Sequence, residues 1–151
     1  MDSRDIMMLI ENAEDIVNVS KSNIEQEWEQ QPKKELKYIL ACNIARKKYA
    51  ECVEEVKLIK SELIRNASMD PQETCGKVKP TIQDVEAYYR THSKYMKAVS
   101  DKINAEDIKN VLEDLLDLMH FTRIKVLETI VTLMQKEYNS KPYIKSYVRK
   151  K

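Results

Sequence analysis

Glycine is almost missing from this chain. Its 151 residues include one, Gly76, and only four prolines, where ordinary usage is about 7% and 5%. Tight hairpins, which need a positive φ at the turn, are therefore nearly excluded, and sheets built from them as well. A single glycine also excludes the GxxxxGK and GxGxxG phosphate loops and the GxSxG nucleophile elbow. The three cysteines, Cys42, Cys52 and Cys75, form no CxxC pair and read as free thiols in a reducing compartment. Only two histidines are present. Asp117 and His120 have the i, i+3 spacing of a di-iron helix bundle, but the second pair is missing because Tyr89 stands three before His92. No apolar run approaches the roughly 18 residues of a membrane span, and no signal-peptide core follows the N-terminus. These absences lead us to expect an all-α cytoplasmic protein with no membrane segment, cofactor, metal or catalytic residue.

What the chain has in quantity is charge, at 34% of residues. The net value of +1 conceals an uneven distribution. Residues 1–31 hold eight acids against Arg4 and Lys21, a net −6, whereas residues 139–151 hold five basic residues and no acid, a net +5. Uniform coating by nucleic acid does not fit that pattern; local basic surfaces do. We divide the chain into an acidic helical segment (1–31), a helical core (32–138) and a basic–aromatic tail (139–151).

The core is organised by Lys33–Ser68. Tyr38, Cys42, Ala45, Tyr49, Cys52, Val56, Ile59 and Leu63 alternate steps of four and three, the 3.5-residue mean that keeps one helical seam facing a partner. Pro32 marks its start. Ahead of it Ile6, Leu9, Ile10, Ala13, Ile16, Val17, Ile24 and Trp28 give a helical pattern, with a break near Ser20 and Ser22. Asp70-Pro71, Gly76 and Pro80 make Met69–Pro80 a linker, and Thr81 with Asp84 three residues on forms an N-cap. A short helix over Ile82–Arg90 follows, with Ile82, Val85 and Tyr88 or Tyr89 inward. The pattern loosens at His92-Ser93, then continues to Tyr138 with a second cap at Asn104.

That last helix carries two apolar stripes. Ile108, Leu112, Leu115, Met119, Val126, Ile130 and Leu133 form one; Val111, Leu118, Leu127, Val131 and Met134 form the other. A face that wide needs several neighbours, so the protomer, a long-helix hairpin or bundle, is expected to assemble into a homo-oligomer. Leu118, Leu127, Val131 and Met134 are the expected interface.

Cations hold phosphates and aromatic rings stack on single-stranded bases. Lys57, Lys60, Arg65, Lys77 and Lys79 supply one cluster near the end of the organising helix. The tail supplies Lys141, Tyr143, Lys145, Tyr147 and Arg149. A basic–apolar helix (RKKYAECVEEVKLIKSELIRNAS), a linker, a short helix and a long apolar helix (NAEDIKNVLEDLLDLMHFTRIKVLETIVTLMQKEY) follow in that order. Over about Ala45 to Tyr138 this resembles the phage recombination mediators of the UvsY family. The resemblance implies a ring-like oligomer that binds single-stranded DNA and helps a RecA-like recombinase displace a single-strand-binding protein. The family's DNA motif falls on Leu58–Leu63, where Lys60 matches. Glu62 replaces the expected arginine, and Arg65 stands one turn later. The other reading is an oligomeric helical adaptor that binds protein partners and no nucleic acid.

Overall fold

In the computed structural model, which describes residues 3–140, every regular element is helical. Helix α1 spans Ser3–Glu11 and leads through short 3₁₀ turns at Ala13–Ile16 and Lys21–Asn23 into α2, Ile24–Met69. Helices α3 (Pro71–Cys75) and α4 (Ile82–Thr91) precede α5 (Ser93–Asp117). A π-helical turn, Leu118–Arg123, joins α5 to α6, Ile124–Ser140. No strand is present among the described residues.

The heptad-like seam is the inner face of α2. Tyr38, Cys42, Ala45, Cys52 and Leu63 are buried, and Tyr49, Val56 and Ile59 are half-buried. Against it lie Ala98, Ala105, Leu112 and Met119, all buried and seven residues apart. Cross-contacts fix the direction. Gln31 bonds to Met119, Cys42 to Leu112 and Tyr49 to Glu106, so numbers rise along α2 as they fall along the opposing helix. Small residues at Ala41, Ala45, Ala98 and Ala105 let the two backbones approach closely. Helix α1 packs across the pair, setting Ile6 against Ala41, Cys42, Ala45 and Leu112.

Three expectations are corrected. The organising helix does not start at Pro32 but at Ile24, and Pro32 lies inside it. A proline there removes the bond to Trp28 and crowds its carbonyl, costing about 3 kcal/mol. The preceding two turns are anchored independently, through buried Ile24 and buried Gln31, which holds the helix across the defect. The expected cap at Asn104 is also absent, since α5 runs unbroken through it with Ala105 buried. Ile82, expected inward, is 87% exposed, because it occupies the first residue of α4, whose buried contact is Tyr89 instead.

The linker is more ordered than its composition suggests. Asp70 caps α3 by accepting from the Glu73 N–H at 3.3 Å, and Gly76 ends it at φ 68°, the left-handed conformation that glycine adopts without strain. Thr81 and Asp84 form the expected capping box. The Thr81 N–H donates to Asp84 at 2.8 Å and the Asp84 N–H to Thr81 Oγ1 at 3.3 Å. Lys77 adds an ion pair at 2.7 Å, and it leads the causes that hold the Asp84 carboxyl down at about 2.

The two stripes of the last helix also find an explanation. Of the first stripe up to Met119, Leu112 and Met119 are buried, Leu115 is half-buried and Ile108 is exposed. The π turn adds residue to the helical repeat, and beyond it the buried position is Leu127, of the second stripe, while Leu133 is exposed. The fully buried position thus passes from the first stripe to the second at the turn, while Val126, Ile130, Val131 and Met134 are all half-buried beyond it.

Candidate nucleic-acid interface

Five cations were expected to converge near the end of α2. An open groove is formed there by Lys60, Ile64 and Ser68 of α2 with Pro80, Thr81, Ile82, Val85, Glu86 and Tyr89. Helical spacing puts Lys57, Lys60, Ile64 and Ser68 on one face, while the capping box fixes the direction in which α4 leaves Pro80. The Lys60 ammonium lies 5.0 Å from the centroid of the Tyr89 ring, and Tyr89 packs edge-on against Tyr95 at 5.2 Å. A cation over an aromatic face in this arrangement is attracted by about 0.5–1 kcal/mol at a surface. Ile64 and Ile82 extend the apolar floor.

The remaining basic residues are placed unevenly. Lys57 is paired with Glu54 at 2.7 Å and Lys77 with Asp84 at the same distance. Both lysines are well exposed, and such pairs contribute about 0–1 kcal/mol, so a phosphate can compete for them. Lys79 is exposed next to Pro80. Arg65 is exposed but lies five residues from Lys60, about 140° round the helix, so it does not face the groove. The one carboxylate lining the groove, Glu86, is paired with Arg90 at 2.6 Å. The tail cluster of Lys141, Tyr143, Lys145, Tyr147 and Arg149 lies outside the described residues.

Of the expected interface residues, Leu127 is fully buried within the protomer. It cannot meet another copy, because the π turn directs it into the core. Leu118 packs beside the buried cluster of Ile16, Tyr38 and Met119. Val131 and Met134 line a shallow groove with Ile24 and Tyr138.

The most elaborate polar arrangement was not foreseen. Arg123, in the π turn, is fully buried. It donates to the Asp15 carbonyl at 2.9 Å, the Ile16 carbonyl at 2.6 Å and Gln31 Oε1 at 2.8 Å, and it pairs with Glu27. Gln31 in turn donates to the Met119 carbonyl at 3.2 Å. Glu27 also accepts from Lys34 at 2.7 Å, and that bond leads the causes that lower its pKa. The sequence signal was a lone arginine at an inward position between Met119 and Leu127. Near it, His120 contacts Glu35 at 2.6 Å on the surface.

No group of side chains suited to hold a metal occurs among the described residues. Burial pushes the Cys42 thiol up, and that thiol donates to the Leu112 carbonyl at 3.2 Å, an arrangement suited to packing. No helix among the described residues is long and apolar enough to cross a membrane. No protein family, curated protein or solved structure matches the chain.

Proposed function

We propose that this protein is a non-enzymatic, homo-oligomeric binder of single-stranded DNA that acts as a recombination mediator, helping to load a RecA-like recombinase where a single-strand-binding protein is bound. The observation that carries the DNA reading is the groove at the α2–α4 junction, with Lys60 poised over Tyr89 beside exposed Ile64 and Ile82. One phosphate-seeking cation, Lys60, stands there next to an apolar platform, the pairing that sequence-tolerant single-strand binding uses. The recombinase-loading role rests on the resemblance of the sequence to the UvsY family.

Fluorescence anisotropy with a labelled single-stranded oligonucleotide tests it. Affinity should fall steeply with salt, with a slope of about −0.7 per phosphate neutralised. Lys57→Ala with Lys60→Ala should weaken binding and flatten the slope by about 1.4. Arg65→Ala should matter less. Affinity indifferent to salt, or to the paired substitution, would remove the groove from the reading. No binding at about 50 mM salt, where electrostatic contacts are strong, leaves the second reading, a helical adaptor for protein partners. That reading is favoured by the acidic segment 1–31 and by the apolar residues exposed on α2.

A further inference from the structure

The face of α2 turned away from α5 is apolar over much of its N-terminal half. Leu36, Ile39, Leu40 and Ile44 are all exposed there, with Trp28 two turns before Leu36. The opposite face of the same stretch holds buried Tyr38, Ala41, Cys42 and Ala45, so the core does not need the outer row. Spacings of three and four make it a second seam. Exposed rows of this kind mark surfaces that other proteins cover.

The charges beside the row say what covers it. Glu29 lies seven residues before Leu36, and Lys47 lies seven after Leu40. At about 100° per residue, Glu29, Leu36, Leu40 and Lys47 fall within about 40° of one another on the helix surface. The four are symmetric about the midpoint between the two leucines. They therefore read as acid–Leu–Leu–base in one direction and base–Leu–Leu–acid in the other.

We propose that two copies of this chain pair through this face, their α2 helices antiparallel about a two-fold axis centred between Leu36 and Leu40. Each Leu36 then meets Leu40 of the second copy, Ile44 meets Pro32, and Glu29 meets Lys47 at both ends of the overlap. A parallel pairing would set Glu29 against Glu29 and Lys47 against Lys47, and an unrelated partner would have no cause to match the symmetry. Lys47 reaches Glu51 within its own helix only at 4.0 Å, with both side chains exposed, so it is available to the second copy. Just past the overlap Glu25 would oppose Glu51, which limits the seam to about 27 Å of helix, the 18 steps from Glu29 to Lys47 at 1.5 Å each. This pairing deepens the oligomeric part of the proposed function and rests on it, while it is independent of DNA binding.

Light scattering on the full chain after size exclusion tests the pairing, with circular dichroism to show that each variant remains folded. Glu29→Lys and Lys47→Glu should each weaken self-association by about tenfold or more, since like charges then face each other. The double variant, Glu29→Lys with Lys47→Glu, should restore it. Leu36→Asp with Leu40→Asp should yield smaller species, and both positions are exposed, so the protomer should still fold. Glu29→Cys with Lys47→Cys should give covalent dimers on mild oxidation, and Glu29→Cys alone should not. A monomeric wild type would overturn both this pairing and the oligomeric reading. Oligomers whose size ignores the charge reversals and the aspartates would overturn the pairing alone.

Discussion

Arg123→Met tests the buried network at its centre. The arginine is fully enclosed and its guanidinium serves four acceptors: the Asp15 and Ile16 carbonyls, Gln31 and Glu27. Methionine fills much of the volume and keeps the apolar contacts of the stem, so the loss isolates the polar head. Removing one partner of a buried ion pair costs about 3–5 kcal/mol, because the other charge is left uncompensated. Glu27 keeps Lys34 at 2.7 Å, which places the expected loss at the lower end, about 3 kcal/mol. For a chain of this size each kcal/mol shifts Tm by about 2–4 °C, so a fall of about 6–12 °C is expected. Urea unfolding followed by circular dichroism gives the free energy directly. The 3₁₀ turn at Ala13–Ile16 should also lose protection in hydrogen exchange, since two of its carbonyls lose their donor. A loss below about 1 kcal/mol, with protection of that turn unchanged, would show that the network does not tie the N-terminal segment to the core.

Two further outcomes follow from the geometry. The Glu27 carboxyl is held below its ordinary value of 4.5, mainly by its bond from Lys34. The stabilisation is therefore complete above that value and is lost as pH falls through the lower, folded pKa; Glu27→Gln should flatten the acid limb of a stability–pH profile, and an unchanged limb would refute the assignment. Gly76→Ala places a Cβ at φ 68°, where nothing lies within 4 Å of it; a loss of about 1–2 kcal/mol from left-handed strain alone is expected in thermal unfolding, and a gain would show that the end of α3 has another conformation.

Periodicity disclosed the inner face of α2 because its eight seam residues alternate strictly, and burial follows such alternation. Capping chemistry at Thr81 and Asp84 was equally legible, being local. Pro32 misled because the cost of an interior proline is met by tertiary anchors at Ile24 and Gln31, and tertiary anchors leave no local mark. The shift of the buried position from Met119 to Leu127 was missed because a single extra residue in the π turn is invisible to a pattern that assumes constant pitch. In the candidate interface, helical spacing sets Lys57 and Lys60 on one face. Arg65 was grouped with them by proximity in sequence, though 140° of helix separates it from Lys60. Ion pairing of Lys57 and Lys77 depends on rotamers and on the α3–α4 path, neither of which the sequence pattern carries.

The π turn sets the packing frame of α6. Without the extra residue, the seven-residue repeat of Ala98, Ala105, Leu112 and Met119 would continue to Val126 and Leu133, both apolar. Oil alone therefore cannot tell the two frames apart. Arg123 marks the observed frame, in which its guanidinium reaches Glu27, Gln31 and the carbonyls of the 3₁₀ turn. A buried polar residue of this kind serves as a register pin, the best-attested role for such groups.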